Sequence, residues 1–134
     1  VVTEEDFKTL EASSMIATLL PSCSFFLSIP FGPAKELNQR NIPVALASDF
    51  NPGSTPSANM SFVVATACIK MRLTPEEAIN AATINGAYAM GLSNTHGSIT
   101  KGKAASFIIT KEIPSYAYIA YSFGENCVEE IIIH

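Results

Sequence analysis

Two short runs constrain this chain more than anything else in it. Met15-Ile16-Ala17-Thr18-Leu19-Leu20 is almost continuously apolar and stops at Pro21. Val44-Ala45-Leu46-Ala47 follows Pro43 and leads straight into Ser48-Asp49. A strand with one wet face alternates apolar and polar residues. A run without alternation reads as a strand covered on both faces, as in parallel sheets. Parallel neighbours need a crossover connection, usually helical. Here Gly32-Pro33 opens a short helix that should end near Asn41, with proline suited to the first helical position. Upstream, Thr3-Glu4-Glu5-Asp6 combines a capping residue with an acidic first turn, and Phe7 and Leu10 give that helix an inward face. Helix, strand, helix, strand is an α/β crossover order, and the two strands should lie side by side and parallel.

The remainder divides in character. Asp49-Phe50-Asn51-Pro52-Gly53-Ser54-Thr55-Pro56 is a polar, turn-rich loop. A buried helix from about Ala58 to Met71 follows, with Met60, Val63, Val64, Ala67 and Met71 at helical spacing. Thr74, Pro75 and Glu77 form a capping box for a second helix, expected to run to a left-handed cap at Gly91. Beyond Gly97 come turns at Gly97-Ser98-Ile99 and Lys101-Gly102-Lys103, then strands over Ser106–Thr110 and Val128–Ile133. The division expected is an α/β part over residues 1–96 and part of a small β layer over 97–134.

Composition narrows the function classes. With 48% apolar and 15% charged residues, the chain is no disordered segment. A net charge of −4 without a local Lys/Arg cluster argues against a nucleic-acid partner. The apolar stretch Ser61–Ile69 is far short of the about 20 residues a membrane helix needs. Three cysteines, Cys23, Cys68 and Cys127, stand in no metal-binding spacing and read as reduced, buried thiols of a cytoplasmic protein.

Asp49 is the leading candidate for chemistry. It follows a buried parallel strand at its carboxyl end, where α/β folds place reactive groups. A carboxylate there can hold a metal ion, while the glycine-bearing loop brings backbone amides close to a ligand. The plainer reading is that Asp49 only closes the loop through an Asx turn. Met15, Met60, Met71 and Met90 read as core fillers. Tyr116, Tyr118, Tyr121 and Phe123 read as packing of a small sheet, and Cys68 as an inert thiol in a buried helix.

Several segments together resemble the imidazolonepropionase family of the amidohydrolase superfamily. They are Val44–Ser54, Met71–Ala78, Ala81–Asn85, Gly97-Ser98-Ile99 with Gly102-Lys103, and Tyr121–Asn126, preceded by Leu19-Leu20-Pro21. Thr-Pro-Glu-Glu-Ala and the Gly-Lys turn are shared by many amidohydrolases; Asp-Phe-Asn-Pro-Gly-Ser and Phe-Gly-x-Asn point more narrowly. The resemblance implies the last two strands of a metal-dependent (β/α)8 barrel with part of a small β-sandwich. It also implies a cytosolic, dimeric, zinc- or iron-dependent hydrolase acting on 4-imidazolone-5-propanoate. Carried over by position, Asp49 matches the metal-ligating aspartate that serves as base. Asn51, Gly53 and Ser54 match positions that contact substrate or product.

This chain departs from the family pattern at Ser106, where Asp is usual, and at Ser122, where His commonly precedes Phe-Gly. The family's metal site also uses a His-x-His pair and a further His. Here the two histidines, His96 and His134, lie beyond the strands; His96 reads as a surface residue. A catalytic zinc normally takes three protein ligands and water. The expectation is therefore the carboxyl-terminal part of a longer enzyme, without tight metal binding or activity by itself. Two other readings remain: a cyclic amidase or purine aminohydrolase of the same superfamily, and a small non-catalytic α/β binding protein.

Overall fold

The computed structural model describes residues 2–134. Helix α1 (Glu4–Glu11) starts at a reciprocal capping box: the Asp6 N–H donates to Thr3 Oγ1 at 3.3 Å, and the Thr3 N–H donates to the Asp6 carboxylate at 2.8 Å. Strands β1 (Ala17–Leu19) and β2 (Val44–Leu46) pair in parallel, with Ala17 opposite Val44 and Leu19 opposite Leu46. The expected neighbour relation holds. The connection contains two helices, however: α2 (Pro21–Phe26) and then α3 (Ala34–Gln39). Pro21 both ends the apolar run and opens α2, because a missing N–H costs nothing in a first turn.

Burial differs between the strands. All of β2 is buried, as its unbroken apolar run requires, whereas Ala17 and Leu19 of β1 are half-buried and Thr18 is exposed. Two-sided burial thus holds for β2 alone among the described residues.

Helix α4 (Met60–Met71) shares its apolar core with β2. Asn59 caps it by accepting from the Phe62 N–H at 3.1 Å, and Arg72 ends it at φ +63°. Its Val63, Val64, Ala67 and Met71 join Leu37, Val44, Leu46, Leu73, Ala78 and Ala81 in one apolar core. The expected helix from Pro75 to the Gly91 cap is two helices packed against β2, α5 (Pro75–Ala82) and α6 (Ile84–Ala89). They break at Thr83 (φ −117°, ψ −85°), whose hydroxyl donates to the Ile79 carbonyl at 2.7 Å. Gly91 does take a left-handed conformation, φ +71°. The turn at Gly97 (φ +89°) presses on the break: a Cβ there would lie 2.6 Å from Ala87 Cβ and 3.0 Å from Ile84 Cα.

The last third forms an antiparallel pair, β3 (Phe107–Thr110) with β4 (Val128–Ile132), Phe107 opposite Ile132. Between them α7 (Tyr118–Tyr121) packs on α4, and the Tyr116 hydroxyl donates to Glu76 of α5. Among the described residues, no helix is long and apolar enough to cross a membrane.

Candidate functional site

Asp49 lies three residues beyond Leu46, the last residue of β2, so the strand delivers it at its carboxyl end. Its backbone is left-handed, φ +55°, a conformation that Asp tolerates better than most non-glycine residues. That residue turns the chain out of the strand line and into the loop.

The loop closes on itself. Asn51 and Thr55 exchange backbone hydrogen bonds, Asn51 N–H to Thr55 O at 3.0 Å and Thr55 N–H to Asn51 O at 3.2 Å. Within this bridge, Asn51 Oδ1 accepts from the Gly53 N–H at 2.8 Å and the Ser54 N–H at 2.9 Å. Asn51 Nδ2 donates to the Asp49 carbonyl at 2.7 Å and to Ser54 Oγ at 2.6 Å. Ser54 Oγ in turn donates to Asp49 Oδ2 at 2.6 Å. The Asx turn therefore belongs to Asn51, and the Asp49 side chain is left to Ser54. Gly53 is exposed at the turn, and a Cβ on it would sit 3.3 Å from Asn51 Oδ1. All four residues singled out in this loop by sequence come together; Asp49, Asn51 and Ser54 are half-buried.

Asp49 Oδ1 has no hydrogen-bond partner among the described residues, which suits it to serve as one ligand of a divalent cation. A complete site needs more. Among the described residues there is no group of three or more His, Cys, Asp or Glu side chains that could hold a metal ion. The histidines supply nothing at Asp49: His96 is half-buried in a turn with Nδ1 2.9 Å from Thr95 Oγ1, and His134 is exposed in the last position. The three cysteines are free; Cys127 is buried, Cys23 and Cys68 half-buried, and burial pushes the Cys68 thiol above its ordinary value.

Two residues near the loop escaped sequence reasoning. Thr55, 2% exposed, keeps its hydroxyl buried without a partner. Asn85, on α6, donates its side-chain amide to the Val44 carbonyl at 2.7 Å. A bond spanning so much chain leaves no local signature.

Comparison with known proteins places the molecule. The amidohydrolase family model matches residues 2–134, and the chain belongs to that family. Within it, the chain is 64% identical over 133 residues to an imidazolonepropionase of Flavobacterium johnsoniae, covering 99% of this chain and 32% of that protein. It is 61% identical to an imidazolonepropionase of Flavobacterium psychrophilum, again over 99% of this chain and 32% of the other. The chain thus spans about a third of the length of the curated relatives it matches. Among solved structures, an adenosine deaminase from Xanthomonas campestris with bound zinc superposes with a TM-score of 0.86 at 22% identity, over 98% of this chain and 33% of that one. At that identity the likeness concerns the fold alone.

Proposed function

We propose that these residues form the carboxyl-terminal part of an imidazolonepropionase, which opens the ring of 4-imidazolone-5-propanoate with water to give N-formimidoyl-L-glutamate in histidine degradation. The observation that carries this is 64% identity along nearly the whole chain to a protein of that name. On this reading β1 and β2 are the last two strands of a (β/α)8 barrel over residues 1–96, and residues 97–134 belong to a small β-sandwich. The enzyme works in the cytoplasm as a homodimer, with no nucleic-acid or membrane partner.

Asp49 would hold zinc or iron together with ligands from outside these residues. Such a cation, when bound, lowers the pKa of coordinated water to about 7 and polarises a carbonyl under attack. The protein's own part is proton transfer and orientation. Asp49 takes the proton of the attacking water, and the water oxygen bonds to the ring carbonyl carbon. Asp49 then passes that proton to the ring nitrogen as the carbon–nitrogen bond breaks. Asn51, Gly53 and Ser54, in the same hydrogen-bonded loop as Asp49, would meet substrate or product.

The direct test is turnover by the full-length enzyme, followed as loss of imidazolonepropanoate absorbance. Guanine, adenosine and a cyclic amide serve as competitor substrates. Ring opening of imidazolonepropanoate alone is the result expected. Preferential hydrolysis of a purine or a cyclic amide would assign the chain to another branch of its family.

A further inference from the structure

Every hydrogen-bonding position of the Asn51 side chain is taken inside its own loop. An amide oxygen has two acceptor sites and an amide nitrogen two donors. Here Oδ1 receives two backbone N–H groups, and Nδ2 faces the Asp49 carbonyl and Ser54 Oγ. Those two N–H donors also decide which end of the amide is oxygen, because a nitrogen at that place would oppose donor to donor. The consequence reaches Ser54. Its oxygen accepts a proton from Asn51 Nδ2, so its own single proton goes to the other neighbour, Asp49 Oδ2, at 2.6 Å. Charge-assisted bonds of this length hold a carboxylate in one orientation.

We propose that Asn51 and Ser54 are positioning residues: Asn51 fixes the Ser54 hydroxyl as a donor to Asp49 Oδ2, leaving Asp49 Oδ1 as the oxygen presented to metal and water. This rests on the reading of Asp49 as ligand and base. Groups one shell out from a metal ligand commonly change affinity or activity by about 10–100-fold when removed. A residue that only touches substrate acts differently, raising KM while leaving kcat in place.

The test uses the full-length enzyme with Ser54→Ala, Asn51→Asp, the double variant, and Asp49→Asn as reference. Asn51→Asp keeps an acceptor for the Gly53 and Ser54 amides but replaces the donor facing Ser54 with a second acceptor. Ser54→Ala should lower kcat about 10–100-fold, whatever it does to KM, and should weaken zinc retention against a chelator by a similar factor. Asn51→Asp should reproduce both effects, and the double variant should be no worse than Ser54→Ala. A raised KM with kcat and zinc retention intact in Ser54→Ala would overturn the proposal. So would losses that multiply in the double variant. If Asn51→Asp fails to fold by circular dichroism, Ser54→Ala alone decides through its kcat and zinc retention. Near-normal turnover in Asp49→Asn would instead remove the underlying assignment of Asp49, a separate outcome from the failure of the relay.

Discussion

The side-chain amide of Asn85 donates to the carbonyl oxygen of Val44 at 2.7 Å, binding α6 to the edge of β2 that faces away from β1. The direction follows from the ladder: Pro43 O and Ala47 N bond to β1, so the Val44 carbonyl, one step along, points to the opposite edge. Asn85 thus satisfies a strand carbonyl at a buried position.

Replacing Asn85 with Ala should leave that carbonyl without its partner and lower stability by about 1–3 kcal/mol. Asn85→Asp should cost more, because an acceptor then faces an acceptor. Chemical denaturation of the full-length enzyme checks both, and equal midpoints for wild type and Asn85→Ala would show the bond to be dispensable.

Arg40 joins α3 to α1. Its guanidinium lies 4.4 Å over the Phe7 ring and reaches Glu4 at 2.7 Å, Glu36 at 3.1 Å and Glu11 at 3.3 Å. The Arg40 hydrogen bond holds the Glu4 carboxyl below the usual glutamate range. A carboxylate with a depressed folded pKa stabilises the fold above its unfolded value, about 4.3, and loses that contribution as pH falls through the folded value. Melting temperature should therefore fall below about pH 4.3, by less in Arg40→Ala than in wild type. Salt should shrink the difference, since the Glu4 carboxylate is exposed to solvent and Arg40 only half-buried. Identical acid profiles for the two proteins would contradict this.

Gly97 and Gly91 both have positive φ, but only Gly97 is crowded. Gly91→Ala should cost about 1–2 kcal/mol from backbone strain alone. Gly97→Ala should cost clearly more, because its Cβ would fall 2.6 Å from Ala87 Cβ. Thermal melts of the two variants side by side give the ranking, and a Gly97→Ala variant no worse than Gly91→Ala would mean the turn can move off α6.

Local chemistry made much of this fold legible. Unbroken apolar runs announced parallel neighbours, and Thr3 with Asp6 and Thr74 with Glu77 marked helix starts that both form capping boxes. What stayed hidden was set at a distance or served two purposes. Pro21 reads equally well as a strand end and a helix start, so α2 went unseen. Nothing near Thr83 forbids a continuous helix; the break coincides with the Gly97 turn, where a Cβ would lie 3.1 Å from the Thr83 carbonyl oxygen. In the loop, Asp49, Asn51, Gly53 and Ser54 were legible as a group, but the direction of their hydrogen bonds was not. Choosing Asn51 over Asp49 as the centre of the Asx turn needed the left-handed backbone at Asp49.

On the proposed reading Asp49 carries the proton in ring opening, and kcat of Asp49→Asn in the full-length enzyme reports on that role. The substitution is nearly isosteric, yet it removes both the anionic ligand and the proton acceptor. General-base catalysis is typically worth about 10²–10⁴-fold, so turnover of imidazolonepropanoate should fall at least about a hundredfold while the circular dichroism spectrum stays that of wild type. Ring opening at a near-normal rate by a correctly folded Asp49→Asn enzyme would contradict the account.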